Sequence, residues 1–135
     1  MSQPDFSARI ILEATISPSE DPTKVARSLG SVVGKGAEEV LVTPASARLT
    51  TVDPGSLTRI RDQLRDRHVR AAARRQMLSN VRGHSTTLML NRQAATLGVF
   101  SVCGTPEESP LGPIYLTIES ATLDVVIDWL AAYSG

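Results

Sequence analysis

The 135-residue chain has one cysteine, two histidines and, among aromatic residues, two phenylalanines, two tyrosines and one tryptophan. Cys103 therefore has no partner for an intrachain disulfide. His68, His84 and Cys103 lack the spacing of a metal site. Phe6, Phe100, Tyr115, Trp129 and Tyr133 are scattered, with no aromatic pair on neighbouring strands flanked by basic residues, so base stacking is not the expected mode of any RNA contact. No apolar run approaches the ~20 residues of a membrane-spanning helix. The first twenty residues show no basic start followed by an apolar core, so a reduced, cytoplasmic setting is the expectation. Net charge is missing too, 14 Lys and Arg balancing 14 Asp and Glu.

That balance hides a polarity. Between Arg59 and Arg92 nine arginines stand against Asp62 and Asp66, 9 − 2 = +7, which leaves −7 for the rest of the chain. Such a segment is either a face for an anionic partner or a solvated helix laced by pairs such as Asp62 with Arg65.

Periodicity sets the frame. Ala8 to Ser17 alternates like a half-buried strand. Asp21 and Pro22 read as N-cap and first residue of a helix that the glycines at 34 and 36 close. Glu39 to Val42 and Ala47 to Val52 are strand segments broken by Pro44, either a hairpin or one bulged edge strand. Leu57 to Arg82 is helical, but its phase does not hold. Leu57, Ile60 and Leu64 share a face that, continued straight, would bury Arg67, Arg70 and Arg74 at prohibitive cost. A break between Arg65 and Val69 is expected, with Val69, Ala73 and Met77 inward and the three arginines outward.

Ser85 to Leu90, Val99 to Cys103 and Ile114 to Ile118 read as strands, with a turn-rich, mobile loop over Gly104 to Pro113. Ser120 or Thr122 caps a last helix whose Trp129 should pack on or beside the sheet. Between the first two of these strands, Asn91 is placed to cap a short turn ended by Gly98. Arg92 and Gln93, which a cap does not require, add a cation and a two-way hydrogen bonder. The whole is expected to be a single α+β domain over residues 1–135, a two-layer sandwich with helices on one face of a largely antiparallel sheet.

Catalytic patterns fail. "GSVVGKG" is one residue short of a phosphate loop, lacks Ser or Thr after Lys35 and follows a helix rather than a strand. Glu38 and Glu39 would point to opposite faces of a strand, and Glu107 and Glu108 have no second ligand set. No catalytic residue, cofactor or metal ligand is assigned.

Five blocks, "EATISPSEDPTKV", "AAARRQML", "LNRQAATLGVFSV", "PLGPIYLTIES" and "VIDWL", resemble in order and spacing the archaeal uncharacterised protein family 0201, over nearly the whole chain. The most specific are Asn91 to Ala95 and Leu111 to Ile114. The resemblance implies a fold similar to large-subunit ribosomal protein five and an RNA-binding or exosome-associated role. Combined with the arginine pattern, it points to non-catalytic binding of structured RNA through Arg67, Arg70, Arg74, Arg75, Arg82, Arg92 and Gln93, with Asn91 as a structural cap. RNA-processing proteins are the further partners expected, and the chain is a monomer or a homodimer. The alternative is a protein-interaction module docking an acidic partner.

Overall fold

The structure, a computed structural model, describes residues 5–132 except residue 67. Five strands form one sheet in the order β2-β3-β1-β5-β4, from β1 (Arg9–Thr15), β2 (Leu41–Val42), β3 (Ser46–Thr51), β4 (Ser85–Leu90) and β5 (Ile114–Glu119). Every neighbouring pair is antiparallel. The helices are α1 (Pro22–Val33), α2 (Pro54–Asp66), α3 (Arg70–Ser79), α4 (Arg92–Thr96) and α5 (Leu123–Leu130). Alternation decides the layers. Ile10, Leu12 and Ala14 of β1, Ala47 and Leu49 of β3, Leu88 and Leu90 of β4 and Ile114, Leu116 and Ile118 of β5 are buried with the apolar faces of the helices in one core. On the opposite face Arg9, Glu13, Arg48, Thr50 and Tyr115 are exposed. The α+β class and the antiparallel sheet follow the sequence reading.

Helix ends obey the expected chemistry. Asp21 accepts from the Thr23 amide at 2.9 Å, and Gly34, at φ 71°, ends α1 in the left-handed region that glycine tolerates best. Pro44 divides β2 from β3 as a hairpin, with Glu39 in a short 3-10 turn (Ala37–Glu39) rather than in the strand. The long helix breaks where its phase fails: α2 ends at Asp66, α3 starts at Arg70, and His68 takes φ 57°. Ala73 and Met77 are fully buried and Val69 packs on the core. Ser120, rather than Thr122, receives the Thr122 amide before α5, at 3.2 Å.

Two expectations are corrected and a third is narrowed. Val99 to Cys103 is not a strand, because it meets β4 only through a bridge between Leu90 and Val102 and bonds at its two ends. The remainder of that edge is taken by α3: Gln76 accepts the Met89 amide at 2.6 Å, and Asn80 donates to the Thr87 carbonyl at 2.9 Å. The loop before β5 is built rather than loose, with a 3-10 turn (Pro106–Glu108) in which Glu108 accepts the Thr105 amide, and with a buried Ser109. Trp129 lies beside the sheet rather than on it, at the margin of the core against α2 and the lead into β1. Its ring meets Phe6 edge-on at 5.6 Å, with the Arg61 guanidinium 4.6 Å above it.

Candidate functional site

The arginine-rich segment is the place to look for a site, and most of its arginines already have work inside the fold. Arg59 donates to the Ser31 carbonyl at 2.9 Å, Arg61 stacks on Trp129, and Arg65 lies between Asp62 and Asp66 at 3.4 and 3.1 Å. Arg74 is only partly outward: its Nη1 lies 2.7 Å from Asp128 and 3.1 Å from the Ala131 carbonyl. A cation there meets the free carbonyls at the end of α5, where the helix dipole favours it. Arg67 lies outside the described residues.

Arg92 departs furthest from expectation. It is 4% exposed, and its Nη1 donates to both oxygens of Glu20 at 2.7 Å. No phosphate reaches it, so it leaves the proposed contact set. Gln93, although exposed, bonds the Pro110 carbonyl at 3.0 Å.

Asn91 behaves as the sequence implies. It follows β4 with extended backbone, and its side chain accepts from the Ala94 amide at 2.9 Å to start α4. Gly98, at φ 75°, follows the turn. The Asn-Arg-Gln run is a structural knot. The Arg92 amide bonds Ser109 Oγ at 3.0 Å, and Ser109 Oγ lies 3.0 Å from the Gly112 carbonyl. The two most specific sequence blocks, around residues 91–95 and 111–114, thus meet in space. No local signal announces the Glu20 partner, which is 72 residues away.

What remains is a set of three arginines, two on α3 and one in the turn after it. Arg75 and Arg82 are exposed and Arg70 half-buried; Arg82 donates to the Val81 carbonyl. Among the described residues no carboxylate pairs with any of the three. Arg75 and Leu78, three positions apart on α3, are neighbours on its outer face, and Leu78 is 52% exposed, whereas Arg82 lies beyond the end of α3 in the turn that bridges to Ser85. Ala72, Arg75, Leu78, Val102 and Gly104 line an open groove of about 790 Å³.

The glycine run that imitates a phosphate loop is also accounted for. Gly30 admits the Lys35 backbone, whose carbonyl leaves no room for a Cβ there. Lys35 Nζ bonds Asp53 at 2.6 Å. That hydrogen bond holds the lysine pKa up and the aspartate pKa down. Burial raises the Cys103 thiol, helped by the Glu108 charge, which keeps it from being a ready nucleophile. Among the described residues no cluster of three or more His, Cys, Asp or Glu is arranged to hold a metal ion, and no helix is long and apolar enough to cross a membrane.

Comparison with known proteins places this architecture. The chain is 35% identical over 130 residues to a UPF0201 protein of Sulfurisphaera tokodaii, covering 90% of this chain and 86% of that protein. The chain belongs to the archaeal UPF0201 family. A UPF0201 protein of Aeropyrum pernix is 36% identical over 132 residues, covering 91% of this chain and 84% of the relative. The crystal structure of a UPF0201 protein from Methanococcus jannaschii superposes with a TM-score of 0.77 at 20% identity, covering 94% of this chain and 95% of that one, and so shares the fold. No family model matches the chain.

Proposed function

We propose that this UPF0201 member is a non-catalytic, cytoplasmic RNA-binding protein that contacts the backbone of structured RNA through α3 and the turn that follows it. The observation that carries the reading is that Arg70, Arg75 and Arg82 have no carboxylate partner among the described residues, whereas the neighbouring arginines are paired, stacked or bonded inside the fold. Guanidinium groups without carboxylate partners suit phosphates, and contacts of this kind position a protein on RNA without reading sequence. The scarcity of aromatic side chains fits a shape-directed mode. A place in a larger RNA-processing assembly, exosome-associated, and a kinship of fold with large-subunit ribosomal protein five belong to the same proposal.

Three phosphate contacts give a salt dependence with a log-log slope of roughly −2 to −2.7. Titrating a mixture of RNA hairpins at several salt concentrations measures it. Replacing Arg75 and Arg82 with Ala flattens the slope by roughly 1.5 and leaves the fold intact. Absence of binding at about 50 mM salt and micromolar protein overturns the reading, since non-specific phosphate contacts alone reach that range.

A second reading has its own observation. Leu78 beside Arg75, both lining an apolar-walled groove, suits an acidic protein segment carrying an apolar anchor. Leu78→Ser separates the two. It abolishes binding of an acidic leucine-containing peptide and leaves the RNA salt slope unchanged.

A further inference from the structure

Arg82 opens a turn whose backbone is fixed. Its amide donates to the Ser85 carbonyl at 2.8 Å and the Ser85 amide donates to its carbonyl at 3.1 Å, so Gly83 and His84 form a two-residue tip. Gly83 leads at φ 61° and His84 follows with negative φ, the backbone of a type II′ turn. The tip is held from behind. Ser85 Oγ donates to the Arg82 carbonyl at 3.2 Å, the His84 carbonyl accepts the Ser120 amide at 2.9 Å, and Asn80 ties β4 to the end of α3. Outward it is bare. Arg82, Gly83 and His84 are exposed, no atom beyond the chain neighbours lies within 4 Å of where a Gly83 Cβ would stand, and the imidazole makes no hydrogen bond among the described residues. Leu78 walls both the groove beside Arg75 and the hollow next to Gly83 and His84, so the tip and the exposed arginine of α3 share one surface.

On the reading that Arg75 and Arg82 meet phosphates, we propose that the tip of Gly83 and His84 enters the minor groove of double-stranded RNA, where the His84 imidazole bonds a ribose 2′-hydroxyl and so selects RNA over DNA. The A-form minor groove is wide, shallow and lined by 2′-hydroxyls, so it admits a short turn. Glycine at the apex lets the backbone come close. A neutral imidazole presents one donor and one acceptor nitrogen, which matches a hydroxyl that both donates and accepts. Arg82, next to the apex, and Arg75 on α3 then fall to phosphates, which position the turn but do not tell ribose from deoxyribose. B-form DNA offers the same tip a minor groove only about 6 Å wide, without the hydroxyl. Two carboxylates border the tip. Glu119 is engaged by Arg9 at 2.8 Å, and Asp124 on α5 lines the hollow beside His84. Asp124 repels either phosphate backbone alike, so it lowers affinity without altering the choice.

Fluorescence anisotropy of the full chain with an RNA duplex and a DNA duplex of the same sequence, about 20 base pairs each, tests the inference. Wild type prefers the RNA by about fivefold, the effect of one neutral hydrogen bond. His84→Ala, checked for native circular dichroism, brings RNA affinity down to that for DNA and leaves the salt slope unchanged, because no phosphate contact is lost. His84→Asn, which keeps a donor and an acceptor, restores part of the preference. Arg82→Ala weakens both duplexes alike and flattens the slope by roughly 0.7 to 0.9, and Asp124→Asn strengthens both alike. Equal affinity of wild type for the two duplexes, or a preference that survives His84→Ala, overturns this inference and leaves the phosphate contacts standing. Failure to bind either duplex overturns both.

Discussion

Arg92 joins the turn after β4 to the loop before α1 by placing Nη1 2.7 Å from both carboxylate oxygens of Glu20, across 72 residues of chain, with side chains 5% and 11% exposed. Two charges out of water are tolerable only as a pair, so removing one is costlier than replacing both. Arg92→Ala should lower stability by about 3–5 kcal/mol, and joint replacement of Arg92 and Glu20 by apolar residues should cost less than Arg92→Ala alone. Denaturant titration of both variants checks this. Equal losses would mean that the pair is not coupled.

The same pair fixes an acid limb. Burial raises the Glu20 carboxyl, but hydrogen bonds from Arg92 and the Ser17 amide, with the Arg92 charge, bring it net below its ordinary 4.5. A depressed folded-state pKa adds stability that is present above the unfolded value and lost as pH falls through the folded one. Glu20→Gln should therefore flatten the stability profile below about pH 4.5 relative to wild type, as followed by urea midpoints between neutral and acid pH. An acid limb of unchanged steepness would show that other carboxylates set it.

Asn91 is a cap and little else, so its substitutions should separate by geometry. Asn91→Ala should cost about 1 kcal/mol, and Asn91→Asp, which keeps the accepting oxygen, much less. Thermal unfolding of the two side by side measures the difference. Equal losses would point to the longer Asn91 contact with the Glu108 carbonyl, at 3.4 Å, as the one that matters.

Local chemistry was legible in the sequence, and pairings across the chain were not. Alternation in β1, the Asp21 cap, the Asn91 turn and the break after Asp66 all depend on neighbours within a few positions, where period and hydrogen-bonding capacity decide the outcome. Arg92 looked like a surface cation because nothing near it shows Glu20, and Arg74 looked free because Asp128 lies on another helix. Val99 to Cys103 has a strand's composition, but Gln76 and Asn80 occupy the edge it would have used. Phase set Arg67, Arg70 and Arg74 outward, yet Arg74 is tied to Asp128 and Arg70 is half-buried, while the exposed arginine of α3 is Arg75.

Trp129 should act as a fastener between α5, α2 and the start of β1. Half-buried rather than enclosed, it should cost about 2 kcal/mol on replacement by Ala, below the 3–5 of a fully buried tryptophan. Arg61→Ala should cost about 0.5–1 kcal/mol through the lost cation–π contact. A double-mutant cycle between Phe6 and Trp129 should show a coupling of about 0.5–1.5 kcal/mol. Zero coupling would mean that the edge-on contact contributes only by covering surface.

Gln76 guards the β4 edge from both sides of its amide. Its oxygen accepts the Met89 amide and its nitrogen donates to the Cys103 carbonyl, both at 2.6 Å, so the strand edge and the crossing segment are fastened to α3 through one side chain. Gln76→Ala leaves two backbone groups without these partners, at a cost of about 2 kcal/mol. Gln76→Glu keeps the acceptor for Met89 but sets an oxygen against the Cys103 carbonyl, so it should be no milder than the alanine. Freed backbone groups on an edge strand also offer a template for another chain. The Ala variant should therefore aggregate faster than wild type on mild heating, and more so than Asn80→Ala, which releases only the Thr87 carbonyl. Turbidity and unfolding midpoints measured together decide between the two effects. A destabilised Gln76→Ala that aggregates no faster than an equally destabilised Trp129→Ala would show that the side chain stabilises this edge without protecting it.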